Sequence, residues 1–175
     1  MSAPMSLSAP PRVRPEYRTP RLEDAQAMWR MVHESKELDD NSPYYYSIWC
    51  RDFAETSLVA SLGDEVIGFL TGYFRPEQPD TYLVWQEAAK PRHGIPMLGV
   101  HLFEQAAERA VTHGARYIEA TVSAGNKAII MVLKKCAKRY QAPVHTEVLF
   151  PASLFPMAHH DEVLYRIGPI ERPPG

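Results

Sequence analysis

Hydrophobic positions change period several times along the chain, and each change marks an element. Ala25, Met28, Trp29 and Val32 recur at three- and four-residue spacing, the apolar face of a helix. Thr19-Pro20 is its expected opening, with threonine as cap and proline in the first turn, just after a short strand ending at Tyr17–Thr19. Residues 39–46 break the pattern with Asp39, Asp40, Asn41, Tyr44, Tyr45 and Tyr46, and a second helix is expected over Ile48–Ala54. Apolar runs at Ser57–Leu62 and Glu65–Phe74 flank Gly63-Asp64, a hairpin signal. Arg75–Asp80 contains prolines and reads as a loop. Thr81–Ala89 then alternates Tyr82, Val84 and Gln86 against Leu83, Trp85 and Glu87, a third long strand.

After a loop at Lys90–Pro96, the strongest helical pattern of the chain spans Met97–His113. Leu98, Leu102, Ala106 and Ala110 recur every fourth residue with Phe103 and Ala107 beside them, and Gly114 stops the helix. Tyr117–Val122 reads as a strand, Ser123–Asn126 turns into a helix running to about Tyr140, and strands follow at Val144–Phe150 and Val163–Ile167. The order implies one α/β domain over residues 14–170, with a strand–loop–helix crossover at its centre. Residues 1–13 carry neither a charged start nor an apolar run, so a disordered tail is expected there rather than a signal peptide, with a short tail at 171–175.

A formal net charge of -2 and a pI near 6.4 give no basic surface for nucleic acid. The longest apolar run, Ala128–Leu133, is far too short to span a bilayer. A small-molecule partner and a cytoplasmic location are the expectation, with Cys50 and Cys136 as reduced, partly buried thiols.

Several clusters carry candidate chemistry. The glycine-containing loop before Met97–His113 leads into a helix start, whose free amides and partial positive charge suit a pyrophosphate. Asp39, with Asp40 and Asn41 beside Tyr44–Tyr46, suits a pocket wall, where carboxylates hold an ammonium and a tyrosine covers carbon; a solvated loop is the competing reading. Trp85 reads as a core residue or a pocket wall, and Asn126 as an N-cap or a ligand contact. His159, His160, Asp161 and Glu162 stand in a row. Adjacent histidines point to different sides of an extended chain and no third partner stands at ligand spacing, so no metal is expected; acid–base work is the alternative.

Five segments in order bear a specific resemblance. Leu38-Asp39-Asp40-Asn41-Ser42-Pro43-Tyr44-Tyr45-Tyr46, Leu83-Val84-Trp85-Gln86, Glu119-Ala120-Thr121-Val122 with Asn126-Lys127-Ala128, Leu154-Phe155-Pro156, and Leu164-Tyr165-Arg166-Ile167-Gly168-Pro169 resemble the diaminobutyrate acetyltransferases of ectoine biosynthesis, within the GNAT superfamily. The resemblance covers about residues 18–170. It implies a GNAT fold: a mixed, mostly antiparallel seven-stranded sheet, splayed where acetyl-CoA enters, with helices on both faces. It also implies acetyl-CoA as co-substrate, L-2,4-diaminobutyrate as acceptor, N4-acetyl product, and a homodimer.

By the same resemblance, Asp39, Tyr44, Trp85, Asn126, His159 and Glu162 match positions lining the amino-acid pocket. Glu162 is the expected base, His159 positions the substrate carboxylate, and Tyr44 or solvent protonates the leaving thiolate. Backbone near Gln86, Glu87 and Ala88, the loop residues Gly94, Ile95, Met97, Leu98 and Gly99, and Asn126 would hold the cofactor. The chain departs from the superfamily at that loop. The usual Arg-Gly-x-Gly-Leu-Ala falls on Gly94-Ile95-Pro96-Met97-Leu98-Gly99: an arginine is missing, Pro96 removes an amide, and Met97 replaces a glycine. Weaker cofactor binding is expected. The rival readings are a GNAT-fold diamino-acid binder with a weakened CoA site and an acetyltransferase for another small amine.

Overall fold

A single sheet runs in the order β1-β2-β3-β4-β5-β7-β6, within a computed structural model that describes residues 13–36 and 38–171. The expected tails lie outside the described residues, except Val13 and Glu171, which are exposed. The strands are β1 (Glu16–Arg18), β2 (Leu58–Leu62), β3 (Glu65–Arg75), β4 (Gln78–Ala89), β5 (Tyr117–Ser123), β6 (Val144–Phe150) and β7 (Glu162–Ile167); the helices are α1 (Ala25–Ser35), α2 (Pro43–Asp52), α3 (Leu98–Thr112) and α4 (Lys127–Tyr140). Neighbouring strands are antiparallel except β4 and β5, which run parallel. The α3 helix makes that crossover, as a parallel pair requires.

Helices cover both faces. On one, Met28, Val32, Tyr46 and Cys50 of α1 and α2 pack on Val59, Phe69 and Ala88. On the other, Phe103, Ala106, Ala110, Leu133 and Cys136 of α3 and α4 pack on Leu70, Val84, Ile118 and Ile167, and Leu98 and Leu102 reach Leu58 and Ile67. Both cysteines are buried and unbonded, and burial pushes their thiols up to about 11 and about 12. They are inert packing groups.

Two irregularities in β4 create the site. First, the parallel ladder holds only from Thr81 opposite Tyr117 to Val84 opposite Ala120. Beyond it β4 continues to Ala89 and β5 to Ser123 without pairing, so the sheet splits. Second, Thr71 faces Gln86 while Gly72 faces Val84, leaving Trp85 as an inserted bulge residue. The bulge turns the strand over. Tyr82 and Val84 lie under α3 and α4, whereas Ala88 lies under α1 and α2. The unbroken alternation read from the sequence is therefore wrong beyond Val84.

Three other expectations need correction. The first helix starts at Ala25, after a 3-10 turn at Leu22–Asp24, and Thr19 does not cap it. Asp24 organises this start: its carboxylate takes two bonds from Arg18, at 2.7 and 2.9 Å, and one from the Arg21 amide at 2.7 Å. The polar stretch at residues 43–46 is helix, with Ser42 as N-cap accepting from the Tyr45 amide and Pro43 in the first turn. Arg75–Asp80 is mostly strand: the turn is Pro76-Glu77, and Pro79 sits where the β3–β4 register is irregular.

Candidate active site

The split has a β4 lip and a β7 lip. On the β4 lip, Gln86 is buried and its side chain turns away from the opening. Tyr46 Oη donates to Gln86 Oε1 at 3.0 Å, and Gln86 Nε2 donates to the Asp39 carbonyl at 3.3 Å. One glutamine thus ties α2 and the loop before it to the edge of the split. Any cofactor contact by Gln86 is through its backbone. The bulge leaves Trp85 about half exposed, at 53%, which excludes the core reading. Its ring stacks on Trp49 of α2 at 6.0 Å, and Trp49 also meets Phe53 and Tyr73. Such ring contacts contribute about 0.5–1.5 kcal/mol each beyond their buried area. They make a rigid aromatic wall that the sequence did not single out; Trp49 one turn past Tyr45 was its visible trace.

Asp39 is exposed in the α1–α2 loop, and Tyr44 is exposed in the first turn of α2. Beside them, Asp40 is engaged by His33 Nδ1 at 2.7 Å, and His33 stacks on Trp29. Asp40 is therefore anchored, while Asp39 keeps its carboxylate for a ligand.

On the other lip, Glu162 opens β7 opposite Ser123, the last residue of β5. Asn126 follows three residues later and caps α4, its Oδ1 accepting from the Ile129 amide at 3.3 Å. The cap consumes the oxygen; Nδ2 remains its donor. His159 stacks on Phe155 with ring centroids 3.9 Å apart. Its Nδ1 lies 2.6 Å from the His160 carbonyl, which can only accept, so Nδ1 carries hydrogen and Nε2 is left toward Glu162 Oε1 at 3.8 Å. Asp161 pins the same loop by accepting from the Ala152 amide at 2.7 Å. The four-residue titratable run therefore divides its labour. His159 and Glu162 form one polar pair, while His160 and Asp161 hold the loop. Among the described residues no cluster of three His, Cys, Asp or Glu could hold a metal ion.

Behind the β4 lip, the 94–99 loop opens α3. Met97 takes the left-handed conformation at φ 59° and ψ 27°, and no side chain caps the helix. The superfamily motif places a glycine here; the turn is kept, at a strain of about 1–2 kcal/mol for a residue with a Cβ. Gly94 is also left-handed, at φ 76°. The first helical amide bond is His101 to Met97, so the amides of Leu98, Gly99 and Val100 have no partner within the helix. Ile95 is fixed by its amide donating to His93 Nδ1 at 3.0 Å. Backbone groups fit the anionic part of a coenzyme here, despite the lost arginine.

Comparison with known proteins places this chain in a family. The model of the acetyltransferase (GNAT) family matches residues 21–137. An L-2,4-diaminobutyric acid acetyltransferase from Streptomyces avermitilis is 45% identical over 86% of each chain. One from Nocardia farcinica is 42% identical over 87% of this chain and 79% of its own. The chain belongs to the L-2,4-diaminobutyric acid acetyltransferases of the GNAT family. Among solved structures, the diaminobutyrate acetyltransferase EctA from Paenibacillus lautus, in complex with its substrate L-2,4-diaminobutyric acid and coenzyme A, superposes with a TM-score of 0.85. It is 30% identical, over 93% of this chain and 99% of that one. The splayed, mixed sheet expected of a GNAT acetyltransferase is the sheet observed.

Proposed function

We propose that the protein transfers the acetyl group of acetyl-CoA to N4 of L-2,4-diaminobutyrate, yielding N4-acetyl-L-2,4-diaminobutyrate and CoA. The reading is carried by the divergence of β4 and β5 beyond Val84 and Ala120, with the Trp85 bulge at its mouth. The thioester lies along the free edge of β4, where backbone amides of residues 85–88 receive the acetyl oxygen. Oriented amides stabilise the oxyanion that forms on attack, at no cost in reorganisation. Asp39 holds the ammonium next to the substrate carboxylate, and His159 and Asn126 Nδ2 position that carboxylate. Tyr44 and Trp85 cover the carbon chain. The distal ammonium reaches Glu162, which takes its proton directly or through water. The free amine attacks the carbonyl, the intermediate collapses, and the thiolate leaves, taking a proton from Tyr44 or solvent. Many GNAT enzymes carry a proton-donating tyrosine one or two turns into the helix that Asn126 caps here; this chain has Leu133, which is buried, and Lys134, which is exposed, at that place.

A homodimer is part of this reading. All seven residues of the edge strand β6 are exposed, including Val148, Leu149 and Phe150, and Leu154 and Met157 extend the apolar area. A second copy would cover it. A cytoplasmic setting accords with two cysteines that form no disulfide; among the described residues no helix is long and apolar enough to cross a membrane. A coupled thiol assay across a panel of amines tests the activity. CoA release with diaminobutyrate, and far less with polyamines or ornithine, is expected. Release from no amine, with diaminobutyrate still bound, would favour the diamino-acid binder instead.

A further inference from the structure

We propose that the side chain of Glu87 gates cofactor binding, admitting the phosphates of acyl-CoA at the start of α3 when protonated and opposing them when ionised. The proposal rests on the reading of the split as the acyl-CoA site.

Glu87 pairs with Leu70 across β3–β4 and, beyond the bulge, lies on the α3 side of the sheet. Its Oε1 stands 2.7 Å from where a Cβ on residue 99 would sit. Glycine at 99 is what lets the first turn of α3 lie against the carboxyl. Its Oε2 is sealed from solvent and has no hydrogen-bond partner among the described residues. A buried carboxyl oxygen without a partner is costly unless a ligand completes it. The other buried carboxylate beside the split, Glu119 on β5, is satisfied: Arg166 and Arg75 both pair with it. Glu87 thus combines an orphaned oxygen with a helix start whose first three amides lack helical partners.

The charged groups of the surrounding elements are engaged elsewhere or lie outside its immediate reach. Lys90, just past the end of β4, pairs with Glu65 of β3, and Arg75 of β3 lies on Glu119. On α3, His101 and Glu104 face each other, with Arg139 of α4 on Glu104. Within the loop, His93 takes the Ile95 amide and Arg92 is exposed. Strand β2 carries no titratable residue. Burial alone accordingly pushes the Glu87 carboxyl up to about 8.

In its protonated form the group is an uncharged acid with an O–H to donate, adding a donor beside the helix amides. Once ionised it places a negative charge within the first turn of α3, where the phosphates need the positive end of the helix. The sign follows from linkage: a ligand that binds the protonated form loses affinity as pH rises through the pKa. Calorimetry with acetyl-CoA at pH 7 and pH 9 on the full chain tests this. The phosphate monoester of the cofactor has a second pKa near 6 and stays ionised across the window. The Kd is expected to rise about tenfold between the two values, and Glu87→Gln to flatten that rise to about twofold or less. Carboxyl NMR of the unsubstituted protein gives an independent readout, with Glu87 titrating at higher pH once acetyl-CoA is bound. Equal affinities at both pH values, an undiminished slope in Glu87→Gln, or an unmoved titration would overturn the gate alone. Absence of acetyl-CoA binding at either pH would overturn the cofactor site and the gate with it.

Discussion

The two lips of the split are built in opposite ways. Along β4 past Trp85 the side chains are spent inward: Gln86 on Tyr46 and the Asp39 carbonyl, Ala88 in the core, Glu87 against α3. What remains for the thioester, on the proposed reading, is backbone. At the start of β7 the backbone is paired with β5 and β6, and the ligand contacts we propose are side chains: His159, Glu162 and, from the adjoining helix cap, Asn126. A thioester and a pyrophosphate can be held by amides, which every residue but proline supplies. A diamino acid needs charges of defined sign at defined places. On the proposed reading, the contrast explains why the 94–99 loop can depart from the motif while Asp39, His159 and Glu162 are needed on the amine side.

The largest effect is expected from breaking the amine lip. Glu162→Gln preserves the shape of the side chain and removes the base; turnover should fall about 10²-fold or more, with acetyl-CoA affinity unchanged. Steady-state kinetics beside calorimetry checks both. Near-normal turnover would reduce Glu162 to an anchor.

A smaller effect should come from sharpening the cofactor lip. Restoring the motif at residue 94 is unwise, because Gly94 is left-handed and an arginine there would be strained. Pro96→Gln with Met97→Gly returns an amide and relieves the left-handed Met97. Acetyl-CoA affinity should increase by up to about tenfold, the worth of roughly 1.4 kcal/mol, with diaminobutyrate affinity unmoved. Unchanged cofactor affinity in calorimetry would mean that this loop does not hold the phosphates.

How far the sequence could be read follows the same division. Strands and helices came from periodicity, and the main-chain path was legible wherever period two or 3.6 held. The bulge was not, because Leu83-Val84-Trp85-Gln86 looks like unbroken alternation whether or not one residue is inserted; the insertion is decided by where Gly72 and Thr71 meet the strand. The proposed amine side is conspicuous as candidate chemistry: Asp39 stands in a segment that resembles a family, and His159 and Glu162 fall between two that do. Helix α2 was half missed because its first turn, Pro43-Tyr44-Tyr45-Tyr46, has no apolar stripe, although Ser42-Pro43 is a capping signal. The role of the Glu87 side chain was invisible: a glutamate mid-strand looks solvated until the helix that buries it is placed.

The regiochemistry of the product tests the central claim most directly. If Asp39 holds the ammonium near the substrate carboxylate while the distal amine alone reaches Glu162 and the β4 edge, NMR of the product from L-2,4-diaminobutyrate and acetyl-CoA should show the acetyl group on N4. Acetylation on N2, or a mixture of the two, would contradict the division of the site into a backbone lip for the thioester and a charged lip for the diamino acid.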